Sequence, residues 1–201
     1  MSGLDRFYPI VGSAAWVGRL VGVGAQLIQL RIKDRPDGEI AGEIREALGI
    51  CGAAGAQLVV NDYWRLAIDA GVDYVHLGQG DLDGADVKAI RSKGMRLGIS
   101  THDEAELERA LALAPDYVAL GPIYPTILKA MAFAPQGPER IGDWKRRVGA
   151  LPLVAIGGLN VERAKACLAA GADSVAVVTD ITLNADPEAR TREWIAATRA
   201  P

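Results

Sequence analysis

Eight short apolar runs, separated by stretches with helical periodicity, constrain the fold of this 201-residue chain more than any other feature. The runs fall at 7–11, 26–31, 57–60, 74–77, 96–100, 116–120, 153–156 and 174–178, and are rich in Val, Ile, Leu and Tyr. Continuous hydrophobicity, without polar alternation, marks strands covered on both faces, as in parallel sheets. Between the runs, apolar residues recur every three or four positions: Ala105, Leu107, Leu111 and Leu113 in one stretch, Val161, Ala164, Leu168 and Ala169 in another. Asp103 ahead of a Glu-rich turn predicts a helix start. Gly171 in AAGAD predicts a helix end before a strand, and AGVD at 70–73 repeats that pattern. Such alternation fits a closed barrel or an open doubly wound sheet. Unusual polar residues collect just after strands two to eight, and a barrel brings all those strand ends to one face. The expected fold class is α/β: a single-domain (β/α)8 TIM barrel over residues 1–201, with 121–138 as a long loop and possible lid after strand six.

Composition narrows the setting. A formal net charge of −3 argues against a general nucleic-acid binder, although a few basic residues in one cleft can still hold anionic substrates. No apolar run approaches the ~20 residues that cross a bilayer. Met1 to Arg6 carries no basic stretch ahead of an apolar core, so the cytoplasm is the expected location. Cys51 and Cys167 lack metal-type spacing and read as reduced structural residues.

The strand ends carry the candidate chemistry. In QLRIKD, Gln29, Arg31 and Lys33 alternate and point to one side of an extended chain. A buried face does not carry Arg and Lys without partners. They are either structural salt bridges or an anion site, with Arg as a planar fork and Lys as a point charge. Asn61 and Asp62 end strand three and by themselves read as a helix cap. Asp81 follows strand four, and carboxylates from successive loops can share one Mg2+ with water and diphosphate oxygens. Asp83 competes for that role but is expected to cap the next helix. Ser100 is placed to donate to a phosphate, with Thr101 or Asp103 as the following cap. His102 reads as a neutral supporting or surface residue, and His76 as a packed or hydrogen-bonded barrel residue.

The stretch 121–138 holds four prolines and little amphipathic period, and a loop this long in a barrel is usually functional or disordered. Its apolar residues Ile123, Tyr124, Ile127 and Phe133 argue against simple disorder. Lys129 can reach a substrate phosphate from it, and loop closure can exclude water. AIGGL and AVVTD then lead from strands seven and eight into helices. The backbone N–H groups of Gly157, Gly158, Val178 and Thr179 can cradle a phosphate there, where barrels often bind one. Two anion sites, with a metal at only one, point to two phosphorylated substrates.

The segments FYPIV, QLRIKD, NDYWRLAI, HLGQGDLD, GISTHDEAEL, DYVALGPIYPT, APQG, VAIGG and GADSVAVV, in that order and spacing, closely resemble the thiamine phosphate synthase family over nearly the whole chain. The resemblance implies a Mg2+-dependent alkyl transferase. In that family the thiazole phosphate nitrogen attacks the methylene carbon of 4-amino-2-methyl-5-(diphosphooxymethyl)pyrimidine as diphosphate leaves. By matched position it implies pyrimidine-diphosphate contacts at Gln29, Arg31, Lys33 and Asn61, and Mg2+ ligands at Asp62 and Asp81. Ser100 and Lys129 would contact the diphosphate, Lys129 countering its charge as it leaves. Gly158, Val178 and Thr179 would hold the thiazole phosphate, with Thr126 lining the thiazole side. The partners so implied are small-molecule substrates, with no nucleic acid or membrane and with room for a homo-oligomer.

Departures from the family pattern are Leu128 for a hydroxyl residue, Thr179 for Ser, Asp180 for Ala, and Gly12 for an acidic residue. They bear on thiazole affinity, since Asp180 would repel a phosphate if it pointed inward. Leu128→Thr is expected to lower the apparent KM for thiazole phosphate, which titration of that substrate checks. The competing functions are a related thiazole-phosphate isomerase (tautomerase), a non-catalytic thiazole-phosphate-binding regulatory barrel, and a sugar-phosphate isomerase. The last leaves the basic cluster of strand two without a purpose.

Overall fold

The computed structural model describes residues 4–126 and 134–199, so Ile127, Leu128, Lys129 and Phe133 lie outside the described residues. Eight parallel strands close into one barrel in sequential order. In chain order the elements are β1 (Phe7–Val11), α1 (Ala14–Val21), β2 (Leu27–Leu30), α2 (Asp37–Ala54), β3 (Gln57–Asn61), α3 (Trp64–Ala70) and β4 (Tyr74–Leu77). Two short helices, α4 (Gln79–Leu82) and α5 (Val87–Ser92), precede β5 (Arg96–Thr101), α6 (Glu104–Ala112) and β6 (Tyr117–Leu120). The chain ends with α7 (Glu139–Val148), β7 (Leu153–Ile156), α8 (Val161–Ala169), β8 (Ser174–Val177), α9 (Thr179–Thr182) and α10 (Pro187–Arg199). All eight expected strands are present. The second, sixth and eighth are shorter than their apolar runs: Gln26 and Asp116 precede β2 and β6, and Arg31 and Val178 already belong to the turns that follow β2 and β8.

Two hydrophobic layers hold the barrel together. The larger lies between strands and helices, where Trp144 and Trp194 are fully covered and Trp194 packs on Phe7 at 5.8 Å. The helical stripes run at three-residue spacing, through Leu107 and Ala110 in α6 and Val161, Ala164 and Cys167 in α8. Ala105 and Ala169 therefore face solvent, a shift of phase from the pattern read in the sequence. The second layer fills the barrel itself with Ile10, Leu27, Val59, Val154 and three tyrosines, Tyr8, Tyr74 and Tyr117. Both cysteines are buried and free, and burial pushes their thiols up to about 11. No helix among the described residues is long and apolar enough to cross a membrane.

Local signals set the strand-to-helix turns. Asp103 caps α6 by accepting from Glu106 N at 2.8 Å. Gly71 ends α3 at φ +78, a left-handed position suited to glycine. Asp83 does not cap the helix after it. It ends α4 and pairs with Arg109 at 2.7 Å, while Asp86 caps α5 by accepting from Ala89 N at 2.9 Å. The displacement arises from α4, an extra turn of helix between strand four and the helix read from the sequence.

Candidate active site

Because all strands are parallel, their C-terminal ends share one face of the barrel, and a cavity of about 220 Å3 opens there. Gln29, Arg31, Asn61, Ser100, Thr126, Gly157, Gly158, Val178 and Thr179 all line it. Lys33, Asp62 and Asp81 do not, and form a separate cluster directly after β2, β3 and β4. Lys129 lies outside the described residues.

The cluster has the chemistry of a cation site. Asp62 follows Asn61 in a left-handed conformation, φ +65, which Asp tolerates better than most residues. No side chain caps α3, so the Asn61–Asp62 pair is not a helix cap. Lys33 Nζ donates to the Asp62 carboxylate. Asp81 meets that same carboxylate, and its pKa is raised, chiefly by burial and then by the Asp62 charge. Gly78 N donates to Asp81 at 3.2 Å, and Gln79 Nε2 donates to Ser100 O at 2.7 Å, which ties α4 to β5. Two carboxylates brought this close are offset in part by the Lys33 ammonium and favour a further positive charge. Among the described residues no group of three or more His, Cys, Asp or Glu comes together, so the two carboxylates are the acidic groups the cluster offers a cation.

Beside this cluster the cavity wall is polar. Arg31 has no carboxylate partner among the described residues, unlike Lys33, so the structural salt-bridge reading holds for Lys33 alone. Gln29 Oε1 and Asn61 Nδ2 are buried without hydrogen-bond partners. Unpaired buried polar atoms are costly, and the two present one acceptor and one donor to whatever fills the cavity.

The opposite wall is a turn that only glycine fits. Gly157 and Gly158 have φ +104 and +64, and a Cβ on them would come within 2.7 Å of Pro122 Cα and 2.3 Å of Pro125 O. The chain at 122–125 lies over this turn, with Ile123 N donating to Ile156 O at 2.9 Å and Tyr124 N to Gly157 O at 3.0 Å. Val178 and Thr179 face the same space from the start of α9.

Asp180 points away from that wall. Its carboxylate accepts from Arg190 at 2.8 and 3.2 Å and from Trp194 Nε1 at 2.7 Å, so the feared repulsion of a phosphate does not arise. We expect Asp180→Ala to lower Tm by roughly 4–8 °C, from about 2 kcal/mol of lost charge-assisted bonding, and to leave the KM for thiazole phosphate unchanged. Melting curves and substrate titration check both halves. At Gly12, the acidic group near the α1 start comes from Glu43, which accepts from Ala14 N at 2.6 Å.

Sequence reasoning missed how much of the barrel interior belongs to the site. His76, Tyr8 and Tyr117 line the cavity, and burial pushes His76 down to about 4, so its ring is neutral. His76 Nδ1 meets Tyr117 Oη at 2.7 Å and Nε2 meets Ser100 Oγ at 2.8 Å. The signal available was a run of polar groups within strands whose neighbours are all apolar. His102 is a supporting residue, its Nδ1 2.7 Å from Glu106 and its carbonyl accepting from Gln136 at 2.7 Å.

Comparison with known proteins identifies the family and the fold. The family profile described as Thiamine monophosphate synthase matches residues 8–181. A thiamine-phosphate synthase of Rhizobium etli is 66% identical over 195 residues, covering 97% of this chain and 96% of the relative. One from Neisseria meningitidis serogroup B is 47% identical over 184 residues, covering 92% and 90%. Among solved structures, the thiamine phosphate pyrophosphorylase of Pyrococcus furiosus superposes with a TM-score of 0.85 at 24% identity, over 96% of this chain and 95% of the other, a likeness of fold. The chain belongs to the thiamine monophosphate synthase family.

Proposed function

We infer that the chain makes thiamine phosphate by joining the aminopyrimidine methyl diphosphate to thiazole phosphate, with Mg2+ held by Asp62 and Asp81. The observation that carries this reading is the pair of unpartnered buried groups, the Gln29 Oε1 acceptor and the Asn61 Nδ2 donor. An aminopyrimidine offers an N–H donor beside a ring nitrogen acceptor and can meet both. The methyl diphosphate then extends toward Arg31, Ser100 and the cluster of Lys33, Asp62 and Asp81. The thiazole phosphate lies against Gly157, Gly158, Val178 and Thr179, with Thr126 on the thiazole side.

The C–O bond to diphosphate breaks with its electron pair leaving on oxygen, and the thiazole nitrogen lone pair forms the new C–N bond. The amino group spreads the positive charge that develops on the pyrimidine. Asp62 and Asp81 would hold Mg2+, which would supply charge neutralisation at the diphosphate. Arg31, Lys33, Ser100 and Lys129 are the protein's own contribution to that stabilisation, and no covalent nucleophile is needed. A thiazole-phosphate isomerase would have no use for the cluster of Lys33, Asp62 and Asp81. A cytoplasmic location belongs to this reading and is supported by the free thiols of Cys51 and Cys167.

Two variants test the division into half-sites. Arg31→Ala is expected to raise the KM for the pyrimidine diphosphate roughly 10- to 100-fold while leaving that for thiazole phosphate unchanged. Thr179→Val should do the reverse, by a smaller factor of roughly three to ten. If both variants move both constants equally, the two half-sites are not divided this way.

A further inference from the structure

Polar groups inside the barrel form one unbroken line. Gln29 Nε2 donates to Tyr8 Oη at 2.9 Å, and the Tyr8 and Tyr117 hydroxyls meet at 2.9 Å. Tyr117 Oη meets His76 Nδ1 at 2.7 Å, and His76 Nε2 meets Ser100 Oγ at 2.8 Å. Each hydroxyl and the neutral ring carry a single hydrogen, so the line has one polarity at a time. With Gln29 donating into it, Tyr8 donates to Tyr117, Tyr117 donates to His76 Nδ1, and His76 Nε2–H donates to Ser100 Oγ. The Ser100 hydrogen is then free to donate into the cavity, and Gln29 Oε1, buried and unpartnered, accepts from a ligand. Under the reverse polarity Ser100 donates to His76 and has no hydrogen left for an anion, while Gln29 turns its amide N–H groups toward the ligand.

We propose that this line is a polarity relay, in which His76, as the Nε2–H tautomer, is a positioning residue that couples amine recognition at Gln29 to anion recognition at Ser100. The proposal rests on the reading of Ser100 as a diphosphate contact. It also carries a specificity consequence. A pyrimidine with a carbonyl in place of the amine favours the reverse polarity, which withdraws the Ser100 donor from the diphosphate. Recognition of the base and of the leaving group thus becomes one event, although their contacts lie on different strands.

The tautomer is measurable without any catalytic assay. The chain has two histidines, so 15N-histidine NMR on the His102→Gln variant reports His76 alone. With inorganic diphosphate and Mg2+ present, the expected spectrum has Nε2 protonated and Nδ1 bare. A protonated Nδ1, in the neutral or the doubly protonated ring, overturns the relay.

Kinetics supply the functional half. Tyr117→Phe breaks the line and is expected to lower kcat roughly 3- to 10-fold, with the KM for thiazole phosphate unchanged. Added to Ser100→Ala it should cost nothing further, because its effect passes through that hydroxyl. Penalties that multiply would make Tyr117 a structural residue and end the coupling. If Ser100→Ala turns over at the wild-type rate, the diphosphate role of Ser100 fails and the coupling with it. That outcome is separable from a wrong tautomer, which the NMR reads independently.

Discussion

Replacing Asp62 by Asn is expected to lower turnover at limiting Mg2+ by roughly 100-fold or more, with partial recovery as Mg2+ is raised. Asn is the informative substitution because position 62 has φ +65, a left-handed conformation that Asn accepts and Ala resists. Asp62→Ala should show the same loss of activity with an added cost of about 1 kcal/mol in stability. The size of the effect follows from the cluster. Asp62 and Asp81 meet beside Lys33, and burial first and the Asp62 charge second hold the Asp81 carboxyl above its usual range. Removing one charge relieves that repulsion and, under the proposed ligand set, takes away one of two carboxylates for Mg2+. The fold should be largely indifferent, since Asp62 caps no helix. Unchanged activity at limiting Mg2+ would take Asp62 out of the ligand set. Titration of rate against Mg2+, with Tm as control, decides it.

Gly98→Ala is the change expected to damage the fold most. A Cβ at position 98 in β5 would stand 2.1 Å from Tyr117 Cζ and 2.5 Å from its Oη. The ring has nowhere to move. It stacks on His76 at 5.4 Å between centroids and meets Tyr74 and Tyr8 edge-on at 5.7 and 6.0 Å. Overpacking of this kind costs about 1–3 kcal/mol, and displacing a buried hydroxyl from its partners costs about as much again. Together they amount to about 2–6 kcal/mol, a large share of a typical domain's stability, and a fall in Tm of roughly 4–20 °C. Activity should fall too, because the displaced hydroxyl is the link between Tyr8 and His76. A Tm within ~2 °C of wild type would mean that Tyr117 does not lie against Gly98.

What the sequence disclosed divides along physical lines. Strands buried on both faces show as unbroken apolar runs, so the strands at 153–156 or 174–178 could be read without any tertiary information, while the closed barrel followed from the polar residues gathered after strands two to eight. Residues at the strand ends were equally legible, since a charged side chain such as Arg31 conflicts with the apolar run that leads to it. The barrel interior was not. That Tyr117 sits opposite Gly98 depends on the register between β5 and β6, which no local pattern encodes. A glycine in mid-strand does hint at a close approach, and a polar His76 among apolar neighbours hints at partners, but neither says which ones. Asp180 shows the limit most sharply. Beside a turn expected to hold phosphate its charge reads as harmful, and only the position of Arg190 and Trp194 on α10 shows that it is used elsewhere.

The most direct measurement follows both products when the purified protein is mixed with the aminopyrimidine methyl diphosphate, thiazole phosphate and Mg2+. The account predicts thiamine phosphate and diphosphate in equal amounts, with both abolished by a chelator. Diphosphate alone would mean a working pyrimidine half-site without a productive thiazole one, and neither product from folded protein would contradict the synthase reading outright.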